Sequence, residues 1–171
     1  MLTIGVTSDT HVPARSRSLP QAIISAFSAV DLIFHAGDLT CLEVLEELSD
    51  LAPVHAVFGN MDDAQVRGRL EAQRIVEVEG CRVGLMHGSG SPIGLEGRAL
   101  RAFRGNGVQA VVFGHSHRPL IKRTGNVLLF NPGSPIGKGF APYRSFGRLT
   151  VDGEAVSGEL IRIANQRSSM L

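Results

Sequence analysis

Short hydrophobic runs that stop at glycine or a polar residue recur along the first sixty positions of the chain. Residues 2–7, 31–35 and 54–58 form three such runs. Runs this short and continuous are typical of strands buried on both faces. Between them, residues 19–30 and 42–51 carry apolar side chains at helical spacing. This alternation predicts βαβ units and a parallel sheet.

The second half has a different pattern, in which strand-like runs come in pairs. Three pairs flank short turn signals and predict hairpins: residues 74–79 with 82–86, 120–124 with 127–130, and 147–151 with 156–163. Residues 95–103 predict a helix, and residues 110–113 a buried strand. We therefore expect a mainly antiparallel C-terminal part. With no linker or repeat, residues 1–171 predict a single domain, whose tail, residues 165–171, frays.

Composition limits the kinds of protein that this chain can be. The chain is 43% hydrophobic and 19% charged, which is the balance of a folded globular protein. Its net charge of +1 gives no support to binding of nucleic acid. Cys41 and Cys81 lack the paired spacing of a zinc or redox motif. Without a signal peptide or an apolar span, the sequence predicts a cytoplasmic protein.

Polar residues stand at the ends of five of the predicted strands. The five motifs are Asp9-Thr10-His11, Gly37-Asp38, Gly59-Asn60, His87-Gly88 and Gly114-His115-Ser116-His117. Ligands bind at the carboxyl ends of strands in open α/β sheets, so these motifs are expected to converge. In an extended chain, residues two apart point to the same side, which would aim Asp9 and His11 at one centre, and likewise His115 and His117. The neighbouring glycines permit sharp turns and close approach.

The side chains of these motifs predict a metal site. Carboxylate, amide and imidazole without thiolate favour Mn, Fe, Zn, Ni or Co. Seven candidate ligands are too many for one tetrahedral ion and suit two ions that share a carboxylate. Each motif alone has an ordinary explanation as a cap or a turn, but chance explains the whole set poorly. His35 and His55 lie inside strand runs, so we interpret them as core or supporting histidines rather than ligands.

Taken in order, with Gly59-Asn60-Met61-Asp62 as the third motif, the set resembles the calcineurin-like metallophosphoesterase superfamily. The short chain and the turn Asn131-Pro132-Gly133-Ser134 resemble its small bacterial and archaeal phosphodiesterase branch. The resemblance implies an α/β fold, a four-layer αββα sandwich of two mixed β-sheets flanked by helices. It also implies that Asp9, His11 and His117 hold one metal, that Asn60, His87 and His115 hold the other, and that Asp38 bridges them.

The resemblance implies a two-metal phosphodiesterase, with manganese as the favoured ion. A water between the ions would lose its proton and attack the phosphate ester, with His11, Asp38 and Asn60 as the catalytic residues. Many members of the superfamily have a proton-donating histidine where this chain has Met61. The substitution favours esters with good leaving groups, or an acid such as water or His11. Asp62 is interpreted as the N-cap of a helix that starts at residue 63.

The substrate is less defined by the sequence. Arg15 and Arg17 follow the first motif and are candidates for contacting phosphate, with a solvated loop as the alternative. Residues 89–92, after His87, form a second candidate rim. The expected partner is a small phosphate ester, and a homo-oligomer is plausible. Two other functions stay open, a phosphomonoesterase and a non-catalytic protein-interaction module on the same fold.

Overall fold

A computed structural model describes residues 1–137 and 140–164 of the chain. The order of its helices and strands is β1 (Leu2–Thr7), α1 (Gln21–Phe27), β2 (Leu32–His35), α2 (Leu42–Ser49), β3 (Val54–Ala56), α3 (Ala64–Arg69), β4 (Gln73–Val78), β5 (Cys81–Met86), α4 (Leu95–Ala102), β6 (Ala110–Val112), β7 (Leu120–Thr124), β8 (Val127–Asn131), β9 (Ser145–Asp152) and β10 (Ala155–Arg162). None of the described helices is long and apolar enough to cross a membrane.

The strands form two mixed five-stranded sheets. The first has the order β10-β9-β1-β2-β3 and the second the order β4-β5-β6-β8-β7. Parallel pairing of β1 with β2 and of β2 with β3 confirms the predicted βαβ units. The three predicted hairpins, β4-β5, β7-β8 and β9-β10, are also confirmed.

The C-terminal part is mainly antiparallel, as expected, and β6 is the exception. This strand pairs in parallel with β5 on one side and with β8 on the other. Helix α4 connects β5 to β6, and such a crossover returns the chain in the same direction. A three-residue strand carries no local signal of its partners' direction, so the pairing was not readable from the run itself.

Successive side chains of each strand point to opposite faces of its sheet, so each sheet has a core on both faces. Ile4 and Val6 of β1 face Val83, Val112 and Phe130 of the second sheet in a core between the two sheets. On the outer face of the first sheet, α1 and α2 bury residues such as Ile23 and Leu48, and on the outer face of the second sheet α4 buries Leu95 and Ala99. The predicted four-layer αββα sandwich is therefore confirmed.

A glycine in each sheet lets a helix pack close to it. A Cβ on Gly5 of β1 would lie 2.7 Å from a ring carbon of Phe27, and one on Gly84 of β5 would lie 2.7 Å from the ring of Phe103. Such a contact is shorter than packed carbon atoms tolerate. Both phenylalanine rings therefore lie directly on the backbone of a strand, where each seals the outer core.

The carboxyl ends of the parallel strands of both sheets meet at one edge of the sandwich. One of the hydrogen bonds that link the sheets at this edge joins Nδ1 of His87, after β5, to the carbonyl of Ala36, after β2, at 2.7 Å. The predicted frayed tail, residues 165–171, lies outside the described residues. The single-domain organisation stays a prediction.

Candidate metal centre

The loops that follow the strands turn through left-handed backbone. Among the described residues, seven that are not glycine have positive φ: Asp9, His11, Asp38, Thr40, Glu79, His115 and His117. Five of these seven are predicted ligands. Left-handed backbone is unfavourable for residues with a side chain and concentrates at functional sites. The expectation that Asp9 and His11 converge through extended chain is wrong, because their φ values of 57° and 48° place both in left-handed backbone. The same holds for His115 and His117, with φ values of 66° and 56°.

Three of the predicted ligands form a compact buried group. Nε2 of His117 lies 3.2 Å from Oδ1 of Asp9 and 3.3 Å from Nε2 of His11. Nε2 of His11 lies 3.8 Å from the same Asp9 oxygen. The three ligand atoms lie within 4.8 Å of one another, which is close enough for one ion to contact all of them.

The other four predicted ligands adjoin this group. Nε2 of His87 lies 3.3 Å from Oδ2 of Asp38 and 3.2 Å from Oδ1 of Asn60. The same Asn60 oxygen lies 3.0 Å from Nδ1 of His115. Oδ2 of Asp38 is also 3.8 Å from Nε2 of His11, so this carboxylate lies between the two groups. Oδ1 of Asp9 reaches both as well, since it is 3.8 Å from Nε2 of His87.

Hydrogen bonds on the far side of two imidazoles orient these rings for a cation. A carbonyl can only accept, so the 2.7 Å contacts to the carbonyls of Ala36 and Gly90 place protons on Nδ1 of His87 and Nε2 of His115. The opposite nitrogens, Nε2 of His87 and Nδ1 of His115, both face Oδ1 of Asn60. Histidine ligands of metal ions are commonly held in this way, with one nitrogen fixed by a hydrogen bond and the other turned to the ion.

The carboxylate of Asp9 is a second feature that suits a metal ligand. Its Oδ2 accepts hydrogen bonds from Ser8 Oγ at 2.6 Å and from the His115 amide at 3.0 Å. Its Oδ1 is buried and faces three imidazoles, with Nε2 of His117 at 3.2 Å and Nε2 of His11 and of His87 at 3.8 Å. A carboxylate oxygen among imidazole nitrogens is a combination that divalent metal ions bind.

The charges of the centre shift the proton affinities of its members. Burial alone would raise the pKa of Asp9, but His87 and His117 outweigh it and lower this pKa from 3.8 to about 2. Burial alone would lower the pKa of His87, but Asp9 and Asp38 outweigh it and raise this pKa from 6.5 to about 9. Without metal, His87 therefore carries a proton at neutral pH, and an ion binding there must displace it.

His35 and His55 occupy supporting positions. The Gly37 amide donates to Nδ1 of His35 at 3.2 Å, so Nε2 carries the proton and donates to Oγ1 of Thr10 at 3.0 Å. Burial lowers the pKa of His35 to about 3, which keeps the ring neutral. Through its hydrogen bonds to Thr10 and Gly37, His35 joins the loop of Asp9 to the loop of Asp38. His55 is half-buried and packs edge to face on Phe34, with ring centroids 6.0 Å apart.

The interpretation of Asp62 as a helix N-cap is wrong, because Asp63 caps α3. Oδ1 of Asp63 accepts from the Val66 amide at 2.9 Å. Asp62 is buried and accepts from the backbone amides of Gly59 at 2.6 Å, Asp38 at 3.0 Å and Thr40 at 2.6 Å. One carboxylate therefore holds together the loops that carry Asp38 and Asn60.

Sequence reasoning also missed the role of the turn after β8. The Nδ2 of Asn131 donates to the Gly114 carbonyl at 2.9 Å and to Ser116 Oγ at 3.2 Å. The hydroxyl of Ser134 donates to the Asp9 carbonyl at 2.9 Å. This turn therefore supports two of the loops that carry candidate ligands, the loop of Asp9 and the loop of His115. Its position at the carboxyl end of a strand, like that of the five recognised motifs, is the signal that could have revealed it.

A cavity of about 210 Å³ opens over the candidate ligands. Five of them line it, together with Arg15, Met61, Ser116 and Phe140. Arg15 thus lies where a substrate candidate was expected, whereas Arg17 is exposed and does not line this cavity. Residues 89–92 reach the site through the Gly90 carbonyl, which is 2.7 Å from Nε2 of His115.

Comparison with known proteins agrees with this geometry. Residues 2–154 match the family model described as the calcineurin-like phosphoesterase superfamily domain. A probable metallophosphoesterase of Methanothermobacter thermautotrophicus is 40% identical over 161 residues, which cover 94% of this chain and 92% of the relative. A phosphodiesterase of Methanocaldococcus jannaschii is 26% identical over 150 residues, which cover 80% of this chain and 86% of that protein.

A similar solved structure is the wild-type Vps29 of Entamoeba histolytica in complex with Zn²⁺. It has a TM-score of 0.77 and 26% identity, and the match covers 94% of this chain and 99% of that one. The sequence match, the two-sheet fold and the cluster of candidate ligands lead to the same conclusion: this chain belongs to the calcineurin-like phosphoesterase superfamily.

Proposed function

We propose that the protein is a phosphodiesterase that works with two divalent metal ions, manganese being the favoured one. The observation that carries this proposal is the convergence of seven candidate oxygen and nitrogen ligands. Five of them form two buried groups that share Asp9, and Asn60 and His115 adjoin the second group. Asp9, His11 and His117 would hold one ion, and Asn60, His87 and His115 the other. Asp38 would be shared, because its Oδ2 lies between His11 and His87. Bound there, the ions would supply Lewis acidity and lower the pKa of a water molecule.

Residues of the chain itself would orient the ester. Asn60 is exposed at the cavity, so its amide group is available to donate to a phosphoryl oxygen while its carbonyl oxygen faces the imidazoles. Arg15 lines the same cavity and adds positive charge on the side from which an anion enters. Together they would hold the phosphate over the centre, with the reacting bond aligned.

Protonation of the leaving group is the weak part of this site. Met61 lines the cavity and has no side-chain proton to give, although its amide holds Oδ1 of Asp38 at 2.7 Å. Burial lowers the pKa of His11 below its usual 6.5. At neutral pH the ring is therefore mostly neutral and has no acidic proton to give. A diester with a good leaving group needs little help from an acid. The site therefore favours such diesters over monoesters of ordinary alcohols.

A second candidate is a non-catalytic interaction module. It is favoured by the similarity to Vps29, named for vacuolar protein sorting, whose fold this chain shares. Complete ligands argue for the enzyme, since a scaffold has no need to retain seven of them, five of which lie in left-handed backbone. A phosphomonoesterase is a third candidate, which Met61 disfavours.

The test is hydrolysis of bis(p-nitrophenyl) phosphate and of p-nitrophenyl phosphate, with Mn²⁺ and with chelator. We expect turnover that requires metal and favours the diester. Asp38→Ala should lower kcat by at least about 100-fold, since it removes a ligand that both ions share. Glu47→Ala, an exposed carboxylate on α2, is the matched control and should keep full activity. Absence of turnover with several metals, or full activity in Asp38→Ala, would refute the proposal.

A further inference from the structure

An exposed aromatic ring stands beside the candidate metal centre. Phe140 is 74% exposed and lines the cavity over the ligands. Met61 is 47% exposed and lines the same cavity. The other large hydrophobic side chains exposed in the described part of the chain are Met1, Ile93 and Ile121, and none of these lines it. Two of these five exposed side chains thus line the candidate site, where they can contact a bound ligand.

The cavity is lined by polar residues and by apolar ones, which matches a ligand that has a phosphoryl group and an aromatic ring. Arg15, Asn60 and the imidazoles provide donors and positive charge for a phosphoryl group. Phe140 and Met61 provide a flat ring and a polarisable thioether, which favour contact with another aromatic ring. The cavity volume of about 210 Å³ is smaller than the roughly 300–1,000 Å³ of sites for drug-sized ligands. It can hold a phosphate with one attached ring.

We propose that Phe140 is a specificity-determining residue that binds an aromatic group carried by the phosphodiester. The inference rests on the proposed function and names its class of substrate, an aryl or nucleoside phosphodiester. In the reaction, the oxygen of water bonds to phosphorus, the bond from phosphorus to the leaving alcohol breaks, and that alcohol takes up the proton. The ring contacts Phe140 and Met61 while the phosphoryl group lies over the ligands.

Phosphonates test this contact, because their carbon–phosphorus bond is not hydrolysed by this reaction. Binding of phenylphosphonate and of methylphosphonate to the Mn²⁺-loaded protein is measured by titration calorimetry. The wild type should prefer the phenyl compound by about five- to tenfold, the size of one aromatic contact. Phe140→Ala should abolish this preference and leave binding of methylphosphonate unchanged. Phe140→Tyr should retain it.

A second pair of ligands distinguishes the two sources of the aromatic ring. Adenosine 5′-monophosphate is compared with ribose 5-phosphate, which lacks the base. A preference for the nucleotide that Phe140→Ala removes would identify a nucleobase as an accepted ring, and its absence alongside a phenyl preference would restrict the class to simple aryl esters. Ile93→Ala, at an exposed apolar residue that does not line the cavity, should change neither preference.

Failure of this inference is distinguishable from failure of the proposed function. If metal-dependent hydrolysis of the diester occurs but Phe140→Ala keeps the phenyl preference, the role of Phe140 is refuted and the enzyme is not. A wild type without any phenyl preference refutes it equally. If no ester is hydrolysed, the proposed function is refuted, and the substrate class inferred from it is refuted as well.

Discussion

Protons and metal ions compete for the same buried atoms at the scale of single residues. His87 is 2% exposed and lies within 3.8 Å of a carboxylate oxygen of both Asp9 and Asp38. Although burial opposes the charge, the carboxylates raise the pKa of His87 to about 9. A folded-state pKa above the unfolded value of 6.5 stabilises the fold fully below pH 6.5. This stabilisation disappears as pH rises through 9.

We therefore predict that the metal-free protein loses stability between about pH 6.5 and 9. The free energy of unfolding should fall by up to about 3 kcal/mol over that range, from a shift of about two and a half pKa units. Urea denaturation in the presence of chelator measures it. His87→Asn should flatten the profile, and His55→Asn, a half-buried histidine outside the centre, should not. An equally steep profile in His87→Asn would contradict the assignment.

At the scale of loops, one buried carboxylate fixes the shape of the centre. Asp62 accepts hydrogen bonds from three backbone amides in the segments that carry Asp38 and Asn60, whereas its neighbour Asp63 caps α3. Burial raises the pKa of Asp62, while the amides it accepts favour its ionised form. The two adjacent aspartates thus act on different structures, which makes them a matched pair for mutation.

We predict that Asp62→Ala weakens Mn²⁺ affinity by about 10- to 100-fold, as is usual when the support of metal ligands is removed. It should also destabilise the fold by about 2 kcal/mol or more, because buried amides lose a charged acceptor. Asp63→Ala should cost about 1 kcal/mol of stability through the lost cap and leave metal affinity unchanged. Titration calorimetry and urea denaturation measure the two effects. Equal metal affinities in the two variants would refute the positioning role of Asp62.

Particular elements show how far sequence could predict this molecule. β1 was predicted at the bounds observed, because its apolar run stops abruptly at Ser8 and Asp9. The parallel pairing of β6 was not, since it depends on the crossover through α4 rather than on the strand's own residues.

The candidate ligands were recognisable because each follows a predicted strand. The roles of Asp62, Asn131 and Ser134 were not, because they lie in hydrogen bonds to the backbone of distant segments. The left-handed turns were equally hidden, since Asp and His carry no signal of positive φ comparable to that of glycine.

At the scale of the whole molecule, the centre joins the two sheets. Asp9, His11, Asp38 and Asn60 follow strands of the first sheet, and His87, His115 and His117 follow strands of the second. Ions held by both sets would therefore clamp the sandwich at its open edge. A ligand that binds only the folded state stabilises it in proportion to its occupancy.

We predict that Mn²⁺ raises the melting temperature over that in chelator. At a concentration about 100 times the dissociation constant, binding adds about 2.7 kcal/mol, or roughly 5–10 °C for a chain of this size. Asp9→Asn should remove most of this increase, because Oδ1 of Asp9 lies within 3.8 Å of imidazoles from both sheets. Glu47→Ala should keep it. Because the clamp links the sheets, hydrogen exchange should slow in the loops after β2 and after β5 together. Protection confined to one sheet would contradict a shared centre and favour a single ion on that side.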